Sequence, residues 1–232
     1  MIRRSRRSDF IGRRQAKTLK PRQAGLFKTL MPKLRLDIEQ DFPQDLCALF
    51  NDVDEVRLEI GFGGGEHLVH RAQENPRIGF IGVEPFINGM GLALSSIDDT
   101  GVGNILLHDE DAGALMDLLP QNSLSQICLL YPDPWPKYRH WKRRFVSQRN
   151  LDRMARLMKP GAQFLFASDI EHYVGWTLDQ CHHHASFQWL ATGASDWNDS
   201  RQGAFANWPS TRYEAKAFAE GRKPTYLTFE YR

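Results

Sequence analysis

From Val56 onward, short apolar runs of strand length alternate with helical runs, and Gly, Pro or Asn marks many of the junctions. No other feature constrains the fold as much, because a strand, a helix and a second strand in succession pack stably as a crossover onto a parallel sheet. Residues 56–60 read as the first strand, followed by the glycine-rich turn 61–65 and a helix over 66–73. Ile78–Val83 reads as the second strand, with a helix over 86–97, and 104–107 as the third, with a helix over 112–119. Leu124–Leu130 is the fourth strand. A helix over 145–158 is expected to stop at Pro160-Gly161, a C-terminal signal. Residues 163–167 form the fifth strand and 170–184 the next helix, and 187–190 and Thr225–Tyr231 are two further strand candidates. The expected class is α/β, Rossmann-like, a doubly wound and mostly parallel seven-stranded sheet with helices on both faces. In such sheets ligands bind beyond the carboxyl ends of the strands, so those ends bear the closest reading.

A chain of 232 residues, 41% hydrophobic and 25% charged, buries one sizeable core. No apolar run is long enough for a membrane span, and no apolar signal-peptide core follows the arginine-rich start. Cys47, Cys128 and Cys181 lie far apart, without metal-ligand or disulfide spacing, which suits a reducing cytoplasm. The net charge of +2 conceals an asymmetry. Residues 1–35 carry twelve Lys/Arg against one acid, Asp9, while the remaining 197 carry eighteen against twenty-seven. A basic arm on an acidic body suggests a polyanion held at one end. We therefore read residues 1–43 as a basic arm, broken by Pro21 and Pro32 and mobile until a partner binds, and 44–232 as the domain built on the sheet.

The first strand runs into Glu59-Ile60-Gly61-Phe62-Gly63-Gly64-Gly65. Gly61 and Gly63 let the backbone approach a ligand closely. The dinucleotide fingerprint, however, needs a third glycine where Glu66 stands. A ligand without a pyrophosphate, such as S-adenosylmethionine, fits better. Glu84 ends the second strand, where an acid accepts both ribose hydroxyls. Within Asp109-Glu110-Asp111, Asp111 has two compatible readings, an adenine contact and a helix N-cap.

The fourth strand delivers Tyr131-Pro132-Asp133-Pro134-Trp135-Pro136-Lys137, three prolines around one acid. Such a loop is rigid, and Tyr131 and Trp135 offer stacking faces beside a carboxylate. Residues 137–149 then hold six Lys/Arg and no acid, interleaved with Tyr138, Trp141 and Phe145. Basic residues with aromatics suit an RNA surface. Part of the run reads equally as a solvated helix face, and Trp141 equally as core. His182-His183-His184 beside Cys181 point in different directions on a helix and read as core or surface residues, not metal ligands.

These motifs resemble those of the bacterial tRNA (guanine-N7-)-methyltransferases. The resemblance rests on the Glu59–Gly65 turn, Gly82-Val83-Glu84, and Pro132-Asp133-Pro134-Trp135 with Lys137 and Lys142-Arg143-Arg144 behind it. Ser168-Asp169-Ile170-Glu171 and Thr211-Arg212-Tyr213-Glu214 complete it, so that it spans nearly the whole chain. It implies an S-adenosylmethionine-dependent enzyme that forms 7-methylguanosine in the variable loop of tRNA, at position 46. It implies cofactor contacts from Glu59, Gly61, Gly63, Glu84 and Asp111, and Asp133 at the junction of cofactor and guanine. It further implies substrate contacts from Lys137, Asp169, Thr211, Arg212, Tyr213 and Glu214, with no metal. The bland readings are that Asp169 caps the helix after it and that residues 211–214 form a surface turn. The partner expected is tRNA. No membrane and no obligatory protein partner is expected, and the chain is read as a monomer or homodimer. Competing readings are a methyltransferase for another RNA base, a non-catalytic RNA-binding protein on the same fold, and, more distantly, a nicotinamide dehydrogenase.

Overall fold

The computed structural model describes residues 12–39, 41–199, 203–207 and 209–232. Arg3, Arg4, Arg6 and Arg7 of the basic arm lie outside them. Among the described residues seven strands form one sheet: β1 (Glu55–Ile60), β2 (Ile78–Val83), β3 (Ile105–His108), β4 (Leu124–Leu130), β5 (Met158–Ser168), β6 (Phe187–Trp189) and β7 (Thr225–Tyr231). Their order is β3-β2-β1-β4-β5-β7-β6. β7 runs antiparallel to β5 and β6, and the pairs from β3 through β5 are parallel. The doubly wound, mostly parallel sheet expected from the alternation is thus present. The chain winds outward from β1 to β3 and then returns to lay β4 on the other side of β1, which opens a crevice at the carboxyl ends of β1 and β4.

Period-two burial divides the strands between two faces. Ile81 and Val83 of β2, Ile127 and Leu129 of β4, and Phe164 and Phe166 of β5 join one large apolar cluster, packed with Leu151 and Met154 and with Tyr173 and Val174. The alternate residues face the other way. Phe80, Ile105 and Leu107 meet Leu68, Met90 and Leu94, while Cys128, Leu130, Leu165 and Ala167 meet Phe205 and Tyr226.

The helices that supply these layers are α1 (Pro21–Thr29), α2 (Met31–Leu34), α3 (Glu66–Glu74), α4 (Ile87–Thr100), α5 (Ala112–Met116), α6 (Gln148–Leu157), α7 (Glu171–His182), α8 (Ser195–Asn198) and α9 (Arg212–Ala219). Their ends are set by local chemistry. Gly101, at φ +67°, closes α4 with its N–H on the Ile97 carbonyl. Ser147 caps α6 by accepting from Asn150 N–H at 3.4 Å.

Two local expectations need correcting. The segment before residue 43 is not an unpacked arm over its described length. Leu26, Met31 and Leu36 are buried, and Leu36 N–H donates to Leu107 O at 2.8 Å, alongside an Arg35–Leu107 parallel bridge at the outer edge of β3. Some of its charge is spent internally, Arg22 on Asp98 and Asp99 and Arg35 on Asp109. α6 ends at Leu157, within one residue of the expected end, but Pro160-Gly161 lies inside β5 and not in a connection before it. β5 already pairs at Met158 with Leu124, and the register then shifts before Gln163 meets Gln126. The proline, which has no N–H to give, sits where the ladder is interrupted. The alternative reading of residues 211–214 as a surface turn also gives way: they are the cap and first turn of α9, with Thr211 Oγ1 accepting from Glu214 N–H at 3.2 Å.

Candidate active site

The crevice beyond β1 and β4 opens into a cavity of about 760 Å³. Gly61 and Gly63 form its floor at φ +70° and +59°, a left-handed backbone that residues with side chains rarely adopt. A Cβ built on Gly61 would meet nothing within 4 Å, so the turn presents bare backbone to the cavity. Above the turn lies the start of α9. The Tyr213 ring would come within 3.1 Å of a Cβ on Gly63, and Arg212 reaches across Gly64 to pair with Glu66 at 2.6 Å.

Glu84, at the end of β2, turns back to this loop. Its Oε2 accepts from Gly63 N–H at 2.7 Å and its Oε1 from Phe86 N–H at 2.9 Å. Of the three acids after β3, Asp111 alone lines the cavity, and it also caps α5 by accepting from Ala114 N–H at 2.8 Å. Asp109 is held by both guanidinium nitrogens of Arg35, and Glu110 points to solvent.

The proline-rich loop after β4 forms the opposite wall. Tyr131 and Trp135 both hold positive φ, +51° and +43°. A non-glycine residue in that region costs on the order of 1–3 kcal/mol and persists only where its surroundings impose it. Asp133 lies between them in the cavity wall. It is open to solvent through the mouth, yet enough protein surrounds it that burial raises its carboxyl above the ordinary range.

The cavity thus gathers Gly61, Gly63, Glu84, Asp111, Asp133, Arg212 and Tyr213. The other sequence candidates lie elsewhere. Glu59 is buried beneath the glycine turn with a carboxylate oxygen 2.7 Å from His67 Nδ1, and it lines a minor pocket with Thr211. Lys137 is exposed at the far end of the proline loop. Asp169 does not cap α7: it pairs with Arg222 at 2.5 Å, and Ser168 Oγ accepts from Ile170 N–H. Glu214 is buried and accepts from the Tyr226 hydroxyl, which fastens α9 to β7.

A family model described as "Putative methyltransferase" matches residues 54–227. The tRNA (guanine-N(7)-)-methyltransferase of Brucella melitensis is 59% identical over 222 residues, 95% of this chain and 94% of that protein. The chain belongs to the bacterial tRNA (guanine-N(7)-)-methyltransferase family. The family member of Agrobacterium fabrum is 55% identical over 229 residues, 98% of this chain and 97% of its own. At the level of fold alone, the 16S rRNA methyltransferase KamB superposes with a TM-score of 0.54 at 19% identity, over 83% of this chain and 95% of that one. The precorrin-6y C5,15-methyltransferase of Geobacter metallireducens does so at 0.51 and 15%, over 94% of each chain.

Several residues of this methyltransferase's cavity escaped the sequence reading. Gly12 and Arg13 line it because residues 14–17 are tied to the start of α4. Arg14 O accepts from Ile87 N–H at 2.8 Å, and Asn88 bonds the backbone of Ala16 and Lys17. Gly89 underlies the glycine turn, and its place in a helix, where glycine is unfavourable, was a usable signal. Arg144 was indistinguishable in sequence from the cations around it.

Burial, partly opposed by the two backbone donors and reinforced by the nearby Asp133 and Glu59, pushes the Glu84 carboxyl up to about 7. The folded methyltransferase therefore keeps a proton between roughly pH 4.5 and 7 that the unfolded chain releases, and its stability falls as pH rises through that window. Relative to the parent, Glu84→Gln is expected to gain roughly 2–3 kcal/mol between pH 4.5 and pH 8. Urea unfolding of both proteins at the two pH values measures this, and a constant difference would refute it.

Proposed function

We propose that this enzyme transfers the methyl group of S-adenosylmethionine to N7 of guanine in tRNA, the variable-loop guanine at position 46, forming 7-methylguanosine. The observation that carries the reading is that Glu84, Asp111 and Asp133 converge on one cavity above bare glycine backbone, in a chain 59% identical to a protein of that name. The donor set suits this cofactor. The exposed backbone at Gly61 admits a close ligand, and Glu84 offers acceptors to ribose hydroxyls. Asp111, which lines the same cavity, accepts from the adenine amino group in this reading. When bound, the cofactor supplies an electrophilic methyl group on a sulfonium.

Guanine N7 has an in-plane lone pair, so no proton need leave it. The protein's task is to set N7 in line with the methyl group and to exclude water, and positioning of this kind contributes several kcal/mol. As the ring becomes cationic, Asp133 holds its N–H edge and stabilises the developing charge. Arg212 and Tyr213 close the substrate side, while Lys137, Asp169, Thr211 and Glu214 support or extend that surface. The arm and the basic run 137–149 grip the RNA backbone. No helix among the described residues is long and apolar enough to cross a membrane. The cytoplasm, where tRNA is found, is the proposed compartment.

The test is direct. The purified enzyme is incubated with unmodified tRNA and methyl-labelled S-adenosylmethionine, and the RNA is digested to nucleosides. Labelled 7-methylguanosine is the expected product. A different labelled nucleoside would overturn the target, and no label despite measured cofactor binding would overturn the reaction.

A further inference from the structure

Arg144 is one of six cations between residues 137 and 149, but its surroundings set it apart. It is 3% exposed, whereas Arg139 and Lys142 are open to solvent. Its guanidinium lies 4.6 Å from the ring centre of Trp141, 4.9 Å from Tyr173 and 5.1 Å from Trp176. Two of these walls are fixed to the next stretch of chain. Trp176 Nε1 donates to Val146 O at 2.7 Å, and Val146 N–H donates to the Tyr173 hydroxyl at 3.4 Å. Nη2 meets the His172 ring at 2.8 Å. Among the described residues no carboxylate is paired with this cation, and Nη1 has no hydrogen-bond partner.

A cation so enclosed is costly to bury, and three aromatic faces offset only part of that cost. Nor can it grip an RNA phosphate while its surface is covered. What it does reach is the catalytic loop: Nε donates to the Pro134 carbonyl at 3.1 Å, one residue beyond Asp133. That loop holds two non-glycine residues at positive φ, a conformation that persists only where its surroundings over-determine it. Arg144 is such a constraint. It is seated in an aromatic box formed by Tyr173 and Trp176 of α7 and by Trp141 of its own segment, and it ties the loop's own carbonyl to that box.

We propose that Arg144 is a positioning residue for methyl transfer, holding the 131–137 loop, and with it Asp133, in register with the cavity instead of binding RNA. The proposal rests on the reading of Asp133 as the group that faces the reacting base. Lysine can keep the charge but cannot span from the box to Pro134 with a planar fork. Arg144→Lys is therefore expected to lower kcat by about 10- to 100-fold. KM for tRNA and the salt dependence of tRNA binding should stay within twofold of the parent. Arg139→Gln, on the exposed face of the same segment, should instead raise KM and flatten the salt dependence by about one counterion.

A double-mutant cycle with Asp133→Asn separates positioning from general disruption. If Arg144 acts through Asp133, Arg144→Lys costs less than about threefold once Asp133 has been replaced. The proposal is overturned if Arg144→Lys raises KM and flattens the salt dependence with kcat retained, if it leaves kcat unchanged, or if its cost is the same in both backgrounds. Should Arg144→Lys fail to fold, Trp141→Leu opens the box from its outer side and must show the same loss in kcat alone. A KM effect there also overturns the proposal. Should the labelled product be a nucleoside other than 7-methylguanosine, the target assignment falls, while the kcat and KM of that product still decide the role of Arg144.

Discussion

Asp133→Asn is expected to cut turnover by about 10²- to 10³-fold while cofactor affinity at pH 8 stays within about threefold. The substitution preserves shape and removes charge, and charge is what the reaction asks of this residue. N7 needs no base, but the product ring carries a positive charge that the starting guanine lacks. A carboxylate held in a partly enclosed wall stabilises that charge more than one in bulk water would. The amide would turn one donor towards the guanine N–H edge and weaken its alignment. Cofactor binding should survive because the residues proposed to hold it, Glu84 and Asp111, are separate groups with their own backbone donors. Removing the Asp133 charge also lowers the Glu84 pKa, since the two carboxylates now repel. Single-turnover methylation and calorimetric titration of the cofactor measure the two halves. Turnover within a few-fold of the parent would remove Asp133 from the mechanism.

The second large effect concerns a residue with no functional group. A Cβ on Gly89 would lie 2.3 Å from the carbonyl oxygen of Gly63 and 3.0 Å from its carbon. Both are backbone atoms of the turn that floors the cavity, so no side-chain rotation relieves the clash. The start of α4 cannot retreat easily, because Ile87 and Asn88 are bonded to residues 14, 16 and 17. Gly89→Ala is therefore expected to displace the glycine turn, weaken cofactor binding by at least tenfold and cost about 1–3 kcal/mol of stability. Gly175→Ala in α7 is the control. Its Cβ would meet nothing within 4 Å, and the change should stabilise by about 0.4–1 kcal/mol. If the Gly89 variant bound cofactor like the parent, the tight packing of α4 on the turn would have no bearing on the site.

The strands carrying the site were readable because they are buried on both faces and end in glycine, acid or proline. Ile78–Val83 and Leu124–Leu130 were located to the residue. α9 was not, because its inward residues are few. Glu214 and Ala217 are buried while Tyr213 and Phe218 are exposed, so hydrophobic periodicity carried no signal. The docking of residues 12–36 was missed for a similar reason. Leu26, Met31 and Leu36 are scattered among cations whose acidic partners lie more than seventy residues away. Glu59 illustrates a different limit. Its position in the motif was evident, but whether its carboxylate faces the cavity or His67 depends on a side chain eight residues on. The proline loop announced rigidity without showing that a buried arginine secures it.

The antiparallel strand has a consequence for how the enzyme is made. β7 is synthesised after every other strand, yet it lies between β5 and β6, with Leu227 and Phe229 in the main core. A nascent chain can lay down β1 through β4 and the glycine turn while β5 still has an open edge. The α9 side of the cavity must wait, because Glu214 is anchored to Tyr226 of that last strand. The ribosome thus delivers the glycine turn and the acidic wall first, and the wall that bears Arg212 and Tyr213 is secured only with the last strand.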